Sequence, residues 1–284
     1  MKIMPEIPFI KMHGTGNDYV YINGFDYDTS SLNLKDIATK ISHRHFGVGG
    51  DGLVLILPSN SEAVKMRMFN SDGSEAEMCG NAVRCVGGFC FNHGIVKEKE
   101  FRVETLADSI GIEVLDNKLI RVDMGKPVFD PKQIPVKLEG DKIIEYPITT
   151  AEFKGKFTAV SMGNPHAVYF VDNVHELILE KIGPNLEHHD FFPNRVNSEF
   201  VVIISPSEVK FRVWERGTGE TWACGTGAAA AVVAGNLTNK LEIKVLFHLL
   251  GGDLTMETTK KLDRVWKTGP YKEVAYGMFY YDEK

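Results

Sequence analysis

The chain has 284 residues, a formal net charge of −6, 43% hydrophobic and 25% charged residues, and a pI near 5.9. That length suits two domains of about 130–140 residues and can bury a full core without disulfide staples. An acidic chain with no basic run argues against nucleic acid and against an anionic membrane surface, both of which need clustered Lys and Arg.

The opening residues 1–9 carry one Lys and two prolines but no apolar stretch of leader type. The longest apolar runs, such as 53–57, are too short to span a bilayer, so a cytoplasmic protein is expected. Residues 37–46 read as a helix and 53–57 as a strand. Between them Gly47-Val-Gly-Gly-Asp-Gly52 matches G-x-G-x-x-G, but a dinucleotide loop needs the strand first and the helix second. A tight helix-to-strand loop is expected instead. A short apolar segment, 66–69, precedes Cys79, and a small-residue helix follows it, ending near Asn92-His93-Gly94. Alternating apolar and polar residues mark strands at 101–105, 118–124 and 209–214. The segment 127–147, rich in proline and charge, reads as the crossover between two halves. Gly163-Asn164 opens another strand-like run, 168–170. Cys224-Gly-Thr-Gly227 leads into a strongly helical alanine run, 228–234, with Gly235-Asn236 as its stop.

Within this order the chain repeats itself. Glu75-Ala-Glu-Met-Cys79-Gly80-Asn81 is echoed 145 residues later by Glu220-Thr-Trp-Ala-Cys224-Gly225-Thr226, and Gly16-Asn17 is echoed 147 residues later by Gly163-Asn164. Two copies at nearly one spacing indicate two similar halves. The fold class expected is α+β (mixed α/β), each half a mostly antiparallel sheet with one central helix. The boundaries expected are 1–126 and 127–271.

The four cysteines are Cys79, Cys85, Cys90 and Cys224. They lack the short C-x2-C knuckle of a zinc site, and neither His43-Arg44-His45 nor His188-His189-Asp190 has partners at ligand spacing, so no metal is expected. Cys85 and Cys90 read as small buried hydrophobes. Cys79 and Cys224 differ, because each sits where a helix begins. Helix N-termini carry unpaired N–H groups and partial positive charge, which lower a thiol's pKa and bind carboxylates. Glycine after the cysteine lets backbone approach a ligand. Two such elements supply a base, an acid and amides to grip a carboxylate, which suits inversion of a carbon next to a carboxylate. No cofactor is then obligatory, and none is expected.

His13-Gly-Thr-Gly-Asn17-Asp18-Tyr19, the loop 47–52, Phe69-Asn70-Ser-Asp-Gly-Ser-Glu75, Cys79-Gly80-Asn81, Ser161-Met-Gly-Asn164-Pro165-His166, Arg195-Val-Asn197, and the run from Trp214-Glu215-Arg216 to Gly227 resemble, in order and spacing, the diaminopimelate epimerase family. The match covers about residues 7–230 and loosens beyond. The resemblance implies two pseudo-symmetric halves with the site in the cleft between them, residues 272–284 returning to the first half, and a homodimer. It implies pyridoxal-independent interconversion of LL- and meso-diaminopimelate, a step of lysine and cell-wall precursor synthesis. Carried over by position, Cys79 and Cys224 are the acid–base pair, and the amides of Gly80, Asn81, Gly225 and Thr226 hold the reacting carboxylate. Asn17 and Asn164 are polar contacts near the reacting centre. His166 and Glu215 tune the thiols or hold an amine, and Asn70, Asn197 and Arg216 grip the distal carboxylate. Gly52 stands where some members carry Gln, Thr226 where many have Ser, and Trp214 where Tyr is common. The alternative is a racemase of the same fold for another amino acid, with an amino-acid binding protein and a nucleotide-dependent oxidoreductase as more distant rivals.

Overall fold

The structure is a computed structural model that describes residues 6–282. The first five residues of the segment read as lacking a leader, and the last two of the expected C-terminal return, lie outside the described residues. The chain divides into two compact units: residues up to Val122 together with those from Gly269 onward, and Asp123–Thr268.

In the first unit β1 (Glu6–Gly14) and β2 (Asn17–Asn23) form a hairpin, helix α1 (Leu34–Ser42) follows, and β3 (Gly52–Leu57) lies parallel to β2. Strand β4 (Val64–Asn70) runs antiparallel to β3, with the two-residue β5 (Glu75–Ala76) beside it. After helix α2 (Gly80–Asn92), β6 (Glu100–Glu104) lies parallel to β4, and β7 (Ser109–Val114) and β8 (Ile120–Gly125) continue antiparallel.

The second unit repeats this plan. Strands β10 (Lys154–Ser161) and β11 (Pro165–Phe170) pair, helix α3 (Leu179–Glu187) follows, and β12 (Asn197–Ser205) lies parallel to β11. Next come antiparallel β13 (Glu208–Glu215) and short β14 (Gly219–Thr221), then helix α4 (Gly225–Leu237). Strand β15 (Lys244–Leu249) is parallel to β13, and β16 (Gly252–Thr258) and β17 (Val265–Gly269) extend it antiparallel. Each hairpin gains one more antiparallel neighbour: β18 (Lys272–Tyr280) on β1, and β9 (Tyr146–Thr149) on β10. The repeat in the sequence is therefore a repeat of topology, strand for strand and helix for helix.

Both cysteine-led helices are enclosed. Every residue from Gly80 to Cys90 is buried, and so is every residue from Gly227 to Gly235. Close packing on all sides of a helix needs small side chains, and the sequence provides them with glycine and alanine. A Cβ on Gly88 would lie 2.1 Å from the Tyr271 ring. Fully buried Val232 and Val233 each contribute about 1.5–3 kcal/mol. The expected stop at Gly235-Asn236 comes slightly later, because Thr238 caps the helix by donating to Ala234 O. The loop 47–52 has α1 before it and β3 after it, and Gly47 donates to His43 O at 2.8 Å.

The proline-rich segment 127–147 follows the change of unit at Asp123. It lies inside the second unit, where Ile134, Val136 and Ile143 join the core with Phe157, Tyr169 and Phe200. None of the described helices is long and apolar enough to cross a membrane.

Candidate active site

Each unit builds one half-site at the head of its central helix. In the first, Cys79 is the N-cap of α2, with extended backbone at φ −133° and ψ 119°. Val83 N donates to Cys79 O at 2.9 Å, so the helical ladder begins there and the amides of Gly80 and Asn81 lie in the first turn, ahead of that ladder. The Cys79 thiol donates to Asn17 Oδ1 at 3.3 Å. Asn17 is itself aimed: its Nδ2 donates to Asp51 Oδ2 at 2.6 Å, and Arg44 Nη2 donates to Asp51 Oδ1 at 2.8 Å. Asp51 comes from the glycine-rich loop, which thus serves the thiol through Asn17. Beneath the helix head, fully buried Arg84 donates to Asn81 Oδ1 (3.0 Å), Thr15 Oγ1 (3.2 Å) and Pro270 O (2.8 Å). Among the described residues no carboxylate pairs with Arg84, so its positive charge is uncompensated beneath the helix head. Asn70 closes β4, exposed, its Nδ2 donating to Ser74 Oγ at 3.0 Å.

In the second unit Cys224 is the N-cap of α4. Its sulfur accepts from Gly227 N at 3.4 Å and lies 3.5 Å from Thr226 Oγ1. Ala228 N donates to Cys224 O at 3.1 Å, leaving Gly225 and Thr226 at the helix head. A helix N-terminus alone lowers a thiol's pKa, yet here the opposite prevails. Burial pushes the Cys224 thiol well up, nearby Glu215 and Glu199 add to it, and the Thr226 hydroxyl and Gly227 amide only partly oppose it. Desolvation and two carboxylates outweigh the helix end.

His166 is fully buried, with Nε2 2.8 Å from Asn164 Oδ1 and Nδ1 2.7 Å from Glu199 Oε1. Thr221 Oγ1 donates to Glu215. Asn197 is also buried, and both ends of its amide hold backbone: Nδ2 donates to Pro165 O at 2.8 Å and Oδ1 accepts from Arg216 N at 2.9 Å. The Arg216 side chain is exposed and donates to Asn194 O at 3.1 Å. Among the described residues it has no carboxylate partner. Glu187 braces this loop by accepting from Gly217 N (2.9 Å) and Trp214 Nε1 (2.8 Å), so Trp214 is a strut for the arginine turn.

The residues singled out from the sequence thus gather by unit: Asn17, Cys79, Gly80 and Asn81 in one, with Asn70 at the β4 end; Asn164, His166, Asn197, Glu215, Arg216, Cys224, Gly225 and Thr226 in the other. Sequence reasoning missed Asp51, Arg84 and Glu199. Asp51 had a signal, since a charge among glycines invites a hydrogen-bonding role; Arg84 and Glu199 read as ordinary helix and strand residues. Gly52, which stands where some family members carry Gln, is packed against backbone. A Cβ there would lie 2.1 Å from Phe69 O, so this backbone accepts no side chain at that position.

The family model described as diaminopimelate epimerase matches residues 9–129 and 158–274. The diaminopimelate epimerase of Acetivibrio thermocellus is 51% identical over 95% of this chain and 97% of its own length. That of Methanococcus maripaludis is 49% identical over 95% and 98%, and that of Oceanobacillus iheyensis 45% over 98% and 100%. Among solved structures, the Bacillus anthracis phenazine biosynthesis protein of the PhzF family superposes with a TM-score of 0.71 at 16% identity, over 97% of this chain and 99% of that one. A hydroxyproline epimerase of Agrobacterium vitis gives 0.62 at 14%, over 98% and 92%. These two likenesses establish the fold. The family match and near full-length identities of 45–51% establish the lineage: the chain belongs to the diaminopimelate epimerase family.

Proposed function

We propose that this protein interconverts LL- and meso-diaminopimelate, with Cys79 and Cys224 exchanging the α-proton on opposite faces of one carbon and with no organic cofactor. The observation that carries the reading is the pair of cysteine N-caps at equivalent points of a duplicated topology. Packing needs a small residue at each point, but it does not need a thiol twice.

The chemistry follows from the two half-sites. Removing an α-proton leaves charge on the neighbouring carboxylate, and helix-head amides are preorganised donors for that charge. Arg84 adds buried positive charge behind one set. Cys224, pushed up by burial and its carboxylate neighbours, enters as the acid. Abstraction in that state falls to Cys79 as the thiolate, its own proton given to solvent and its hydrogen bond to Asn17 Oδ1 released, and the roles exchange in the reverse direction. Arg216, exposed and without a carboxylate partner among the described residues, takes the distal carboxylate through its planar fork. Asn70 and Asn197 support that grip.

Two further points complete the reading. The protein works as a homodimer: Val274, Tyr276, Met278 and Tyr280 alternate along β18 with 58%, 60%, 45% and 59% of their surface exposed, an apolar stripe of the kind that marks an association surface. It works in the cytoplasm, where its four cysteines, none of them in a disulfide, stay reduced.

The test is epimerisation of LL-diaminopimelate under reducing conditions with no added cofactor. Cys79→Ala and Cys224→Ala are each expected to lower the rate at least about 100-fold, the usual contribution of a positioned acid or base. Either variant at full rate overturns the two-thiol reading.

A further inference from the structure

Glu199 stands out among the buried ionisable groups because nothing in the packing of β12 requires it. It is fully buried, and so is the His166 ring that its Oε1 meets at 2.7 Å. Its other oxygen, Oε2, is also buried and has no hydrogen-bond partner among the described residues. A carboxylate with one oxygen unsatisfied in the interior costs stability. Val or Ile would pack a central strand better, so the group is not there for the core.

Its position points to the thiol. A Cβ placed on Gly227 would lie 2.8 Å from Glu199 Oε1 and 3.3 Å from Cys224 Sγ. The carboxylate and the sulfur therefore share the space over the first turn of α4, and the absence of a side chain at Gly227 lets them share it. The ionisable groups around this point come from several elements: His166 and Tyr169 on β11, Glu215 on β13, Cys224 itself, and Lys267 on β17, whose Nζ lies 2.5 Å from a Cβ built on Gly225. Burial raises the pKa of Glu199, His166 opposes this, and Glu215 adds to it.

We propose that Glu199 is a positioning residue for Cys224: it orients the His166 ring through Nδ1 and sets the charge beside the thiol at the first turn of α4. This rests on the two-thiol reading but can fail separately from it. The carboxylate bonds no substrate in this account. It determines which way His166 presents Nε2 toward Asn164 and how readily Cys224 gives up its proton.

The test uses the full chain with Cys79→Ala, so that Cys224 is the only helix-head thiol left. Carboxymethylation of Cys224 by iodoacetate is followed against pH by peptide mass, with Cys85 and Cys90 read separately. Glu199→Gln keeps the shape and removes the charge. It is expected to move the Cys224 midpoint down by about one pH unit, the size of effect a lost like charge has at a buried site. An unmoved midpoint in a folded variant overturns the proposal, because a purely structural Glu199 would be replaced silently by Gln. If Glu199→Gln does not fold, Gly227→Ala carries the test with Glu199 intact, since its methyl must separate Oε1 from Sγ. A shifted midpoint supports the proposal, and an unshifted one overturns it. Exchange of the α-proton by the unmodified protein is measured alongside; its absence would remove the two-thiol reading while leaving the Glu199 result interpretable.

Discussion

Asn197→Ala is the substitution on which the scaffold of the second half-site depends most. The sequence reads Asn197 as part of a carboxylate grip, whereas the structure engages both ends of its amide with backbone, holding Pro165 O at 2.8 Å and Arg216 N at 2.9 Å. Truncation leaves a buried carbonyl and a partly buried amide without their partner, at about 1–3 kcal/mol each, so unfolding free energy should fall by about 2–6 kcal/mol. Because the lost bond to Arg216 N anchors the arginine turn, KM for a dicarboxylic amino acid should rise as well. The assay is urea unfolding of parent and variant, with steady-state kinetics on the same preparations. A variant within about 0.5 kcal/mol of the parent, well below one lost buried hydrogen bond, that still shows a raised KM would refute the scaffold role. It would return Asn197 to direct substrate contact.

Arg216→Ala should raise KM for diaminopimelate about tenfold to a hundredfold, the range of one lost charge-assisted contact, and leave any slow turnover of alanine unchanged; equal losses on both would count against a distal-carboxylate grip. Gly52→Gln should lower stability by at least about 1–3 kcal/mol through backbone overpacking and restore no contact, which thermal unfolding would register; a variant as stable as the parent would show that the 2.1 Å approach to Phe69 O relaxes freely. Glu208 and Asp253 each sit 2.8 Å from His248 and raise its pKa above the ordinary 6.5. Their contribution is therefore complete below pH 6.5 and lost as pH rises through the raised value, so His248→Gln should flatten that part of a stability–pH profile, and an unchanged profile would place the pair among surface contacts of no consequence.

Much of this architecture was legible because duplication writes itself twice. Cysteine, glycine and a small-residue helix recur at one spacing, and each half folds them into the same N-cap. The glycine loop 47–52 declared its nature through the order of its neighbours. What stayed hidden depends on contacts between residues far apart in the chain. Glu199 and His166 are 33 positions apart and meet only because β11 and β12 run parallel in one register. Residues 127–147 read from their prolines and charges as a crossover, and that three isoleucine and valine side chains there join the core is something periodicity cannot signal in an irregular segment. The direction of the Cys224 shift was hidden for the same reason: the helix end is visible in sequence, but the burial and the two carboxylates that outweigh it are not.

The central claim is met most directly by proton NMR of LL-diaminopimelate with the purified protein in D2O, under reducing conditions and without added cofactor. Two-base exchange at one carbon predicts loss of the α-proton signal together with appearance of the meso isomer. An α-proton signal that persists undiminished, with no meso isomer formed, would contradict it.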